Sequence, residues 1–491
     1  MKRRVLALWM GMLAVALLIP AGFAQGPGAD KGTSVKSVQR LNRAPVSKEI
    51  LRVKLPRPRE LKLANGLTVL VLEQHKLPTV AFALWIKTGA LADPKELPGL
   101  AMFTAGMLRE GTTHRSSAQL AADVDELGAS LDASASFGSG ISTVSASGLV
   151  ANVDRILELM GDLVLSPAFP ADELEKYRTR QLAGLEQQRS EPGFLGEEKF
   201  FQVLYRDFPA SVVSATPESV KAVTPEKLKE FHHRYYAPNN ATLGVVGDVQ
   251  SDQIVALIKK HFGDWKNHPV ASPALTPVPQ PTAKKIVLVD RPDSVQTNIL
   301  AGDYAVRRAD PDFIPLTVMN RVLGGGPSAR LFLNLREEKG YTYSIYSYFT
   351  SDIYPGAWMT ATEVRTPVTD KSMRELMNEF TRIREEKVPE GELDDARRSI
   401  VARFALSLEQ PAQLLGFWMT ANYYKLAEDY WDRYPEQVAG VTPDVVQGMA
   451  KKYVDLDHLQ IVCVGNGKEI RDALKQYGPL EVYNTDGKRL E

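Results

Sequence analysis

The chain has 491 residues, 44% of them hydrophobic, which is enough for two to four globular domains with buried cores. Its 59 lysine and arginine residues balance 59 aspartate and glutamate residues, and this removes the electrostatic argument for a nucleic-acid-binding protein. The single cysteine, Cys463, excludes an intramolecular disulfide and any cysteine-rich zinc module.

The first residues have the pattern of a secretory signal peptide. Basic residues at positions 2–4 precede an apolar stretch over residues 5–19. Gly22 and Ala24 are small residues at the two positions that signal peptidase recognises. The stretch is shorter than the ~20 residues of a membrane-spanning helix, and Pro20 ends it. We predict a signal peptide over residues 1–24, a periplasmic location in a bacterium and a mature formal charge of −3, because cleavage removes three basic residues.

A polar segment and a β-hairpin follow the cleavage point. Residues 25–57 lack periodicity, which indicates a flexible leader. Order is expected to begin with a hairpin, in which the apolar stretches 61–63 and 67–72 flank the turn dipeptide Asn65-Gly66. Further along the chain, apolar periodicity and cap residues predict strands at 79–86 and 241–246 and helices at 98–108, 117–127, 153–165, 171–189 and 225–236.

A proline-rich spacer over residues 271–285 divides the chain into segments 58–270 and 286–485. Short matches in register relate the two segments. At offsets of 218 and 219 residues, the matching positions are 223–225 with 441–443, 246–247 with 464–465, and 170 with 389. We therefore predict two homologous α+β domains, each a mostly antiparallel sheet covered by helices.

Several motifs carry a family resemblance. The stretch GLAMFTAGMLREGT at residues 99–112 resembles the first active-site helix of the pitrilysin/insulinase family of zinc metallopeptidases, which includes mitochondrial processing peptidase. The Asn-Gly hairpin, YAPNN at 236–240 and LREEKGYTYS at 335–344 also match. The resemblance covers about residues 58–480 and implies that the chain is one half of a clamshell.

The zinc motif of that family is missing from this chain. The family motif is His-x-x-Glu-His, in which two imidazoles bind zinc and the carboxylate activates water. Met102, Ala105 and Gly106 occupy these three positions, and the distal glutamate ligand of the family aligns with about Gly184. None of the seven histidines in the chain supplies a one-face pair in their place. We expect that this chain binds no zinc.

Arg336 and Tyr343 have the spacing of a second family feature. The resemblance implies that this pair, in the C-terminal domain, binds the peptide carbonyl at the zinc site. A guanidinium and a phenol are suitable donors to an oxyanion. The alternative is structural: Tyr343 shares one face of a core strand with Tyr341 and Ile345, and Arg336 is a solvated helix residue.

Gly324, Gly325 and Gly326 precede the helix that carries Arg336. No Lys-Ser/Thr follows them, so a phosphate-binding loop is not indicated. They resemble the glycine-rich loop of the non-catalytic subunit of mitochondrial processing peptidase, which implies substrate binding. A tight turn into the helix explains them equally well.

These features favour a zinc-free subunit of a two-chain periplasmic metallopeptidase. The resemblance implies a homologous partner subunit that carries the zinc, and a peptide or unfolded polypeptide as substrate. The subunit would supply Arg336 and Tyr343 to the active site of the partner. The main alternative is a non-enzymatic structural protein, like the core subunits of the respiratory cytochrome bc complex. An independently active metallopeptidase would need a metal site that these motifs do not provide.

Overall fold

Two six-stranded sheets, one from each half of the sequence, form the framework of the described chain in the computed structural model. The structure describes residues 49–273 and 275–491, and those from Ile50 to Glu491 form one compact unit. The predicted signal peptide and residues 25–48 of the predicted leader lie outside the described residues.

The first half contributes six strands and eight α-helices to the described chain. The strands are β1 (Arg59–Lys62), β2 (Thr68–Glu73), β3 (Thr79–Ile86), β4 (Ser130–Ala135), β5 (Ser142–Leu149) and β6 (Ala241–Gly247). The helices are α1 (Leu100–Leu108), α2 (Ser117–Glu126), α3 (Val153–Leu165), α4 (Ala171–Ser190), α5 (Pro192–Tyr205), α6 (Pro217–Ala222), α7 (Pro225–Tyr235) and α8 (Ser251–Phe262).

The second half repeats this plan. Its described strands are β7 (Lys285–Asp290), β8 (Gln296–Tyr304), β9 (Thr342–Phe349), β10 (Ala357–Arg365), β11 (Gln460–Gly465) and β12 (Leu480–Asn484). Its helices are α9 (Phe313–Leu323), the π-helical turn Phe332–Glu338, α10 (Thr369–Glu385), α11 (Glu390–Ser407), α12 (Pro411–Tyr424), α13 (Tyr430–Ala439), α14 (Pro443–Tyr453) and α15 (Gly467–Lys475).

The strand orders confirm the predicted duplicated α+β fold. They are β1-β2-β6-β3-β5-β4 in the first sheet and β12-β7-β11-β8-β10-β9 in the second. Five strands correspond one to one, and the remaining edge strand comes from opposite ends of the two segments. Strand β1 precedes β2 and pairs with it antiparallel, whereas β12 follows β11 and pairs with β7 in parallel.

The repeated sequence matches fall at equivalent structural positions. Thr224 and Thr442 are the N-caps of α7 and α14, and each side chain accepts a hydrogen bond of 3.4 Å from the backbone N–H three residues on. A proline follows each cap, at a position where the helix needs no N–H donor. Gly247 and Gly465 end strands β6 and β11. The offset therefore reflects a repeated fold.

One helix of each half packs on the sheet of the other half. Phe200 and Leu204 of α5 are buried in one core cluster with Leu300 and other residues of the second sheet. Leu415 and Met419 of α12 are buried with residues of β2 and β6 in the first sheet. Both helices begin with proline, Pro192 and Pro411, at an offset of 219 residues, which adds a further repeat match to the short motifs.

The described end of the predicted leader packs against the second half. Leu55 is 3% exposed, and its N–H donates a 2.9 Å hydrogen bond to Asp432 Oδ1. The Arg57 guanidinium forms an ion pair with the same carboxylate at 2.5 Å. Packed chain therefore begins before residue 58. In the spacer, no helix or strand is described before Lys285. No helix among the residues that the structure describes is both long enough and apolar enough to cross a membrane.

Candidate functional site

The side chain of Asp93 fixes the beginning of helix α1. Its carboxylate accepts hydrogen bonds from the N–H groups of Gly99 at 2.7 Å and Ala101 at 2.8 Å, which have no partner inside the helix. Gly99 itself has a φ of 97°, in the left-handed region that favours glycine. Burial raises the pKa of Asp93 to about 7. The helix that would carry a zinc motif is thus well formed.

A tyrosine fills the space beside the former motif positions. Ala105 is fully buried, and a Cβ at Gly106 would lie 2.2 Å from the hydroxyl oxygen of Tyr177 on α4. The Tyr177 ring packs edge-on against Phe103, with 5.0 Å between ring centroids. Burial raises the pKa of the Tyr177 phenol, so it stays neutral at physiological pH. The site lacks ligand atoms, and Tyr177 occupies the space that a side chain at Gly106 would need.

A cavity of about 540 Å³ lies beside Met102. Gln181 and Leu185 of α4 line it, together with residues 350–352 that follow β9 in the second half. Gly184 is exposed, and a Cβ there would meet no atom within 4 Å. Gln181, Leu185 and Gln188 are the residues of α4 that line this cavity with Met102, and Gly184 is not among them. The i, i+4 spacing of Gln181 and Leu185 could have indicated this face. A neutral amide does not replace a carboxylate ligand.

The histidines have structural partners scattered over the chain. Imidazole-to-aspartate distances are 2.7 Å for His75, 2.5 Å for His114, 2.7 Å for His261 and 2.8 Å for His458. Among residues 49–273 and 275–491, no group of three His, Cys, Asp or Glu side chains is placed to hold a metal ion. The residues at the family zinc position therefore do not fit the metal.

Arg336 and Tyr343 lie together on the surface of the second half. The guanidinium carbon of Arg336 is 4.7 Å from the centroid of the Tyr343 ring and 4.7 Å from that of Phe332. The π-helical turn carries Arg336, and Gly340, with a φ of 63°, ends it before β9 begins. Tyr343 is 83% exposed. A cation over an aromatic face holds both side chains in one place while their donor groups stay accessible.

An irregularity in β9 turns Tyr343 away from the core. The pairing of β9 with β10 shifts between Thr362 and Val364, and the Ser344 N–H donates a 3.1 Å hydrogen bond to the hydroxyl of Thr342. A shift of this kind reverses the side-chain alternation. The predicted placement of Tyr343 on one face with Ile345 is therefore wrong, because Ile345 is fully buried whereas Tyr343 is exposed. A structural role for Arg336 and Tyr343 stays the alternative to substrate binding.

Neither Arg336 nor Tyr343 lines the cavity beside Met102. Thr350, which follows β9, lines the cavity, whereas Tyr343 lies seven residues earlier on the strand. At ~3.3 Å per residue, the path along the chain from Thr350 to Tyr343 is at most about 23 Å. The side chains of Arg336 and Tyr343 are therefore accessible to a molecule that lies outside this cavity.

The three glycines after α9 form a closely packed turn. The carbonyl of Gly324 accepts a 2.9 Å hydrogen bond from the Ser347 N–H of β9. A Cβ at Gly324 would lie 2.5 Å from Ser347 Oγ, and one at Gly326 would lie 2.3 Å from Nη1 of Arg321. This close approach explains why small residues are needed here. Substrate binding by Gly324, Gly325 and Gly326 stays a prediction.

Comparison with known proteins defines the family. Residues 68–215 match the family model described as Insulinase (Peptidase family M16), and residues 222–400 match the one described as Peptidase M16 inactive domain. The two segments together cover more than half of the chain. The chain therefore belongs to the insulinase/pitrilysin family, which confirms the resemblance seen in its motifs.

Relatives carry the name of zinc proteases. YmxG of Bacillus subtilis, described as an uncharacterized zinc protease, is 24% identical over 348 residues, which are 70% of this chain and 83% of that protein. Rv2782c of Mycobacterium tuberculosis, with the same description, is 29% identical over 294 residues, or 59% of this chain and 66% of that protein. In this chain, by contrast, the zinc-motif positions hold Met102, Ala105 and Gly106.

Solved structures share the fold. A peptidase M16 inactive domain from Pseudomonas fluorescens superimposes with a TM-score of 0.78 at 27% identity and covers 83% of this chain and 97% of that one. The periplasmic protease PqqL from Escherichia coli superimposes with a TM-score of 0.71 at 16% identity, covering 90% of this chain and 49% of that one. The second likeness supports the fold alone.

Proposed function

We propose that this chain is the zinc-free subunit of a periplasmic two-chain metallopeptidase. It pairs with a homologous subunit that binds zinc, and it offers Arg336 and Tyr343 to the peptide carbonyl there. The observation that carries the proposal is the contact between these two side chains, 4.7 Å apart on an exposed surface, in a chain whose own zinc-motif positions cannot bind metal.

The chemistry of the pair suits a developing oxyanion. A guanidinium and a neutral phenol both donate hydrogen bonds and do not compete as acceptors with the carbonyl oxygen. The nearest carboxylate to the Arg336 guanidinium is Glu337 at 3.5 Å, and that side chain is 56% exposed. A surface ion pair of this kind is weak, so the arginine remains available to substrate.

Two features favour action on the site of a partner. Neither Arg336 nor Tyr343 lines the cavity at Met102, so the pair is not placed to act on a substrate bound there. Strands β4 and β9 are also edge strands of their sheets. An extended peptide can add to such an edge through backbone hydrogen bonds, which gives affinity with little sequence selection.

The test is co-expression with a zinc-bearing relative, followed by metal analysis and peptide hydrolysis for each chain and for the pair. We expect stoichiometric zinc and turnover only when the partner is present. Arg336→Ala and Tyr343→Phe should each lower kcat by about 100-fold, the effect of losing one oxyanion donor, without dissociating the pair.

Tyr346→Phe is the matched control, because this tyrosine lies on the same strand but packs on Phe332, 5.6 Å between ring centroids. Its turnover should match that of the unmodified pair. Stoichiometric zinc on this chain alone would contradict the zinc-free assignment. Unchanged turnover of the Arg336 and Tyr343 variants would instead favour a purely structural subunit.

A further inference from the structure

The second half contains its own cavity, of about 440 Å³, at the position that duplicates the cavity beside Met102. Helix α11 repeats α4 at an offset of 219 residues. At that offset Gln181, Leu185 and Gln188, which line the first cavity, correspond to Ile400, Phe404 and Ser407, which line the second. The proposed action of Arg336 and Tyr343 does not use this second cavity, although Gly325, one of the three glycines with a predicted substrate role, belongs to its lining.

Arg308 is a buried cation in the wall of this cavity. It is 7% exposed, and its guanidinium carbon lies 3.9 Å from the ring centroid of Phe313, 5.1 Å from that of Tyr430 and 5.5 Å from that of Trp431. Its Nη1 donates a 3.0 Å hydrogen bond to the Tyr430 hydroxyl. Arg308 forms no ion pair with any described residue. Burying a guanidinium without a carboxylate partner costs desolvation free energy, so proteins rarely retain such an arginine unless a bound group supplies the missing negative charge.

Two further arginines line the same cavity. Nη1 of Arg321 donates to the carbonyl of Gly325 and Nη2 donates, at 2.5 Å, to Ser399 Oγ, so each terminal nitrogen has one N–H bound within the protein. Arg403 is exposed, and its side chain makes no hydrogen bond or ion pair with another described residue. Burial and the neighbouring Arg403 both lower the pKa of Arg321. The described lining contains no aspartate or glutamate, so its charge is entirely positive.

The rest of the wall is aromatic. Phe404 stacks with Trp431 at 6.2 Å between centroids, and Phe417 lies 4.4 Å from Trp431. These rings are continuous with Tyr434, which is 5.0 Å from Phe404. A cavity of this volume with an apolar wall and a few polar groups is typical of a small-molecule site.

We propose that this cavity binds an aromatic carboxylate, with the carboxylate on Arg308 and Arg403 and the ring against Phe404, Phe417 and Trp431. A planar guanidinium pairs with a carboxylate through two parallel hydrogen bonds, and Arg308 uses one nitrogen, Nη1, on the protein itself. The ligand is a free aromatic acid or the C-terminal residue of a peptide, which present the same chemistry.

The donor set favours a carboxylate over a phosphate ester. Arg308 is the buried arginine of the described lining, and one of its terminal nitrogens donates to a described side chain, whereas both terminal nitrogens of Arg321 donate to the protein. One buried guanidinium balances a single negative charge. A phosphate dianion would bring a second charge, and the other two arginines of the lining, Arg321 and Arg403, are both more exposed than Arg308.

Isothermal titration calorimetry on the purified protein, without zinc or partner, tests the site. The probes are N-acetylphenylalanine and a nonapeptide ending in phenylalanine, each compared with its C-terminal amide. We expect at least one acid to bind, and its amide to bind at least about tenfold more weakly, because the amide loses the charge-assisted hydrogen bonds. Binding of the peptide acid identifies a peptide terminus as the source, and binding of the small acid alone identifies a free acid.

Arginine variants test whether binding of the acid depends on this cavity and not on positive charge elsewhere on the surface. Arg308→Gln and Arg403→Gln should each weaken binding of the acid about tenfold, and because Arg403 is exposed, its variant should fold normally. Arg398→Gln, on the same helix and paired with Asp394 at 3.6 Å, is the matched control and should bind as the unmodified protein does. Absence of binding by both acids, equal affinity for acid and amide, or an equal loss in Arg398→Gln would overturn the proposal. None of these results depends on the proposed subunit role.

Discussion

His232 shows how a single side chain can lose the chemistry that its type suggests. Its Nε2 lies 2.8 Å from the carbonyl oxygen of Val164, and its ring stacks on Tyr236 with 4.6 Å between centroids. Burial lowers the pKa of His232 from near 6.5 to about 4. The imidazole is therefore neutral at physiological pH and acts as a packed hydrogen-bond donor.

This pKa predicts an acid-sensitive contribution to stability. The folded protein binds fewer protons at His232 than the unfolded chain does between about pH 6.5 and pH 4, so the free energy of unfolding must fall as the pH falls through that range. The loss should reach up to about 3 kcal/mol. Urea titrations at several pH values should show a smaller decrease for His232→Gln.

The neighbouring His233 provides the control for this measurement. It is exposed and stacks on His268 at 5.5 Å, so His233→Gln should keep the full decrease with falling pH. If both variants lost the decrease equally, the effect would not come from the burial of His232.

At the scale of elements, the repeated N-caps make equal contributions in the two halves. Thr224→Ala and Thr442→Ala each remove the side-chain acceptor for one backbone N–H, which costs about 1 kcal/mol. Urea denaturation followed by circular dichroism should show similar losses for the two variants. Ser328→Ala, an exposed serine outside any cap, should leave the unfolding free energy unchanged. A large difference between the two threonine variants would contradict structural equivalence.

The elements are also the level at which sequence is most informative. The helix at 153–165 and the strand at 79–86 are predicted with the bounds that the structure has, since periodicity and caps are local signals. The orientation of Tyr343 is not predictable in this way, because it depends on a pairing shift opposite Thr362 and Val364. Such a shift depends on the neighbouring strand as well as on the residues of β9.

At the candidate site, too, some features follow from the local sequence and others depend on residues that are distant in the chain. The missing zinc ligands can be read from Met102, Ala105 and Gly106 by alignment alone. The sequence does not single out Tyr177 and Gln181, because their importance comes from the side of α4 that faces α1. Likewise Arg308 can be recognised as a buried, unpaired cation only once the rings around it are placed.

For the whole molecule, we predict that both halves unfold together, because α5 and α12 each pack on the sheet of the other half. Phe200 of α5 is fully buried against the second sheet, so Phe200→Ala should cost about 3–5 kcal/mol. Circular dichroism and tryptophan fluorescence should still report one coincident transition at a lower urea concentration. Phe380→Ala, in the core of the second half, should move both signals in the same way. Two separated transitions would mean that the halves are independent.

The packing of α5 and α12 also determines how much the length of the proline-rich spacer at 271–285 matters. Each sheet has one face covered by a helix from the other half, so buried side chains join the halves whatever the length of chain between them. Doubling the length of a flexible loop costs only about 0.6 kcal/mol of closure entropy. The spacer therefore tolerates insertions and deletions that change its length. Residues in α5 and α12, by contrast, are constrained by the residues of the other half on which they pack.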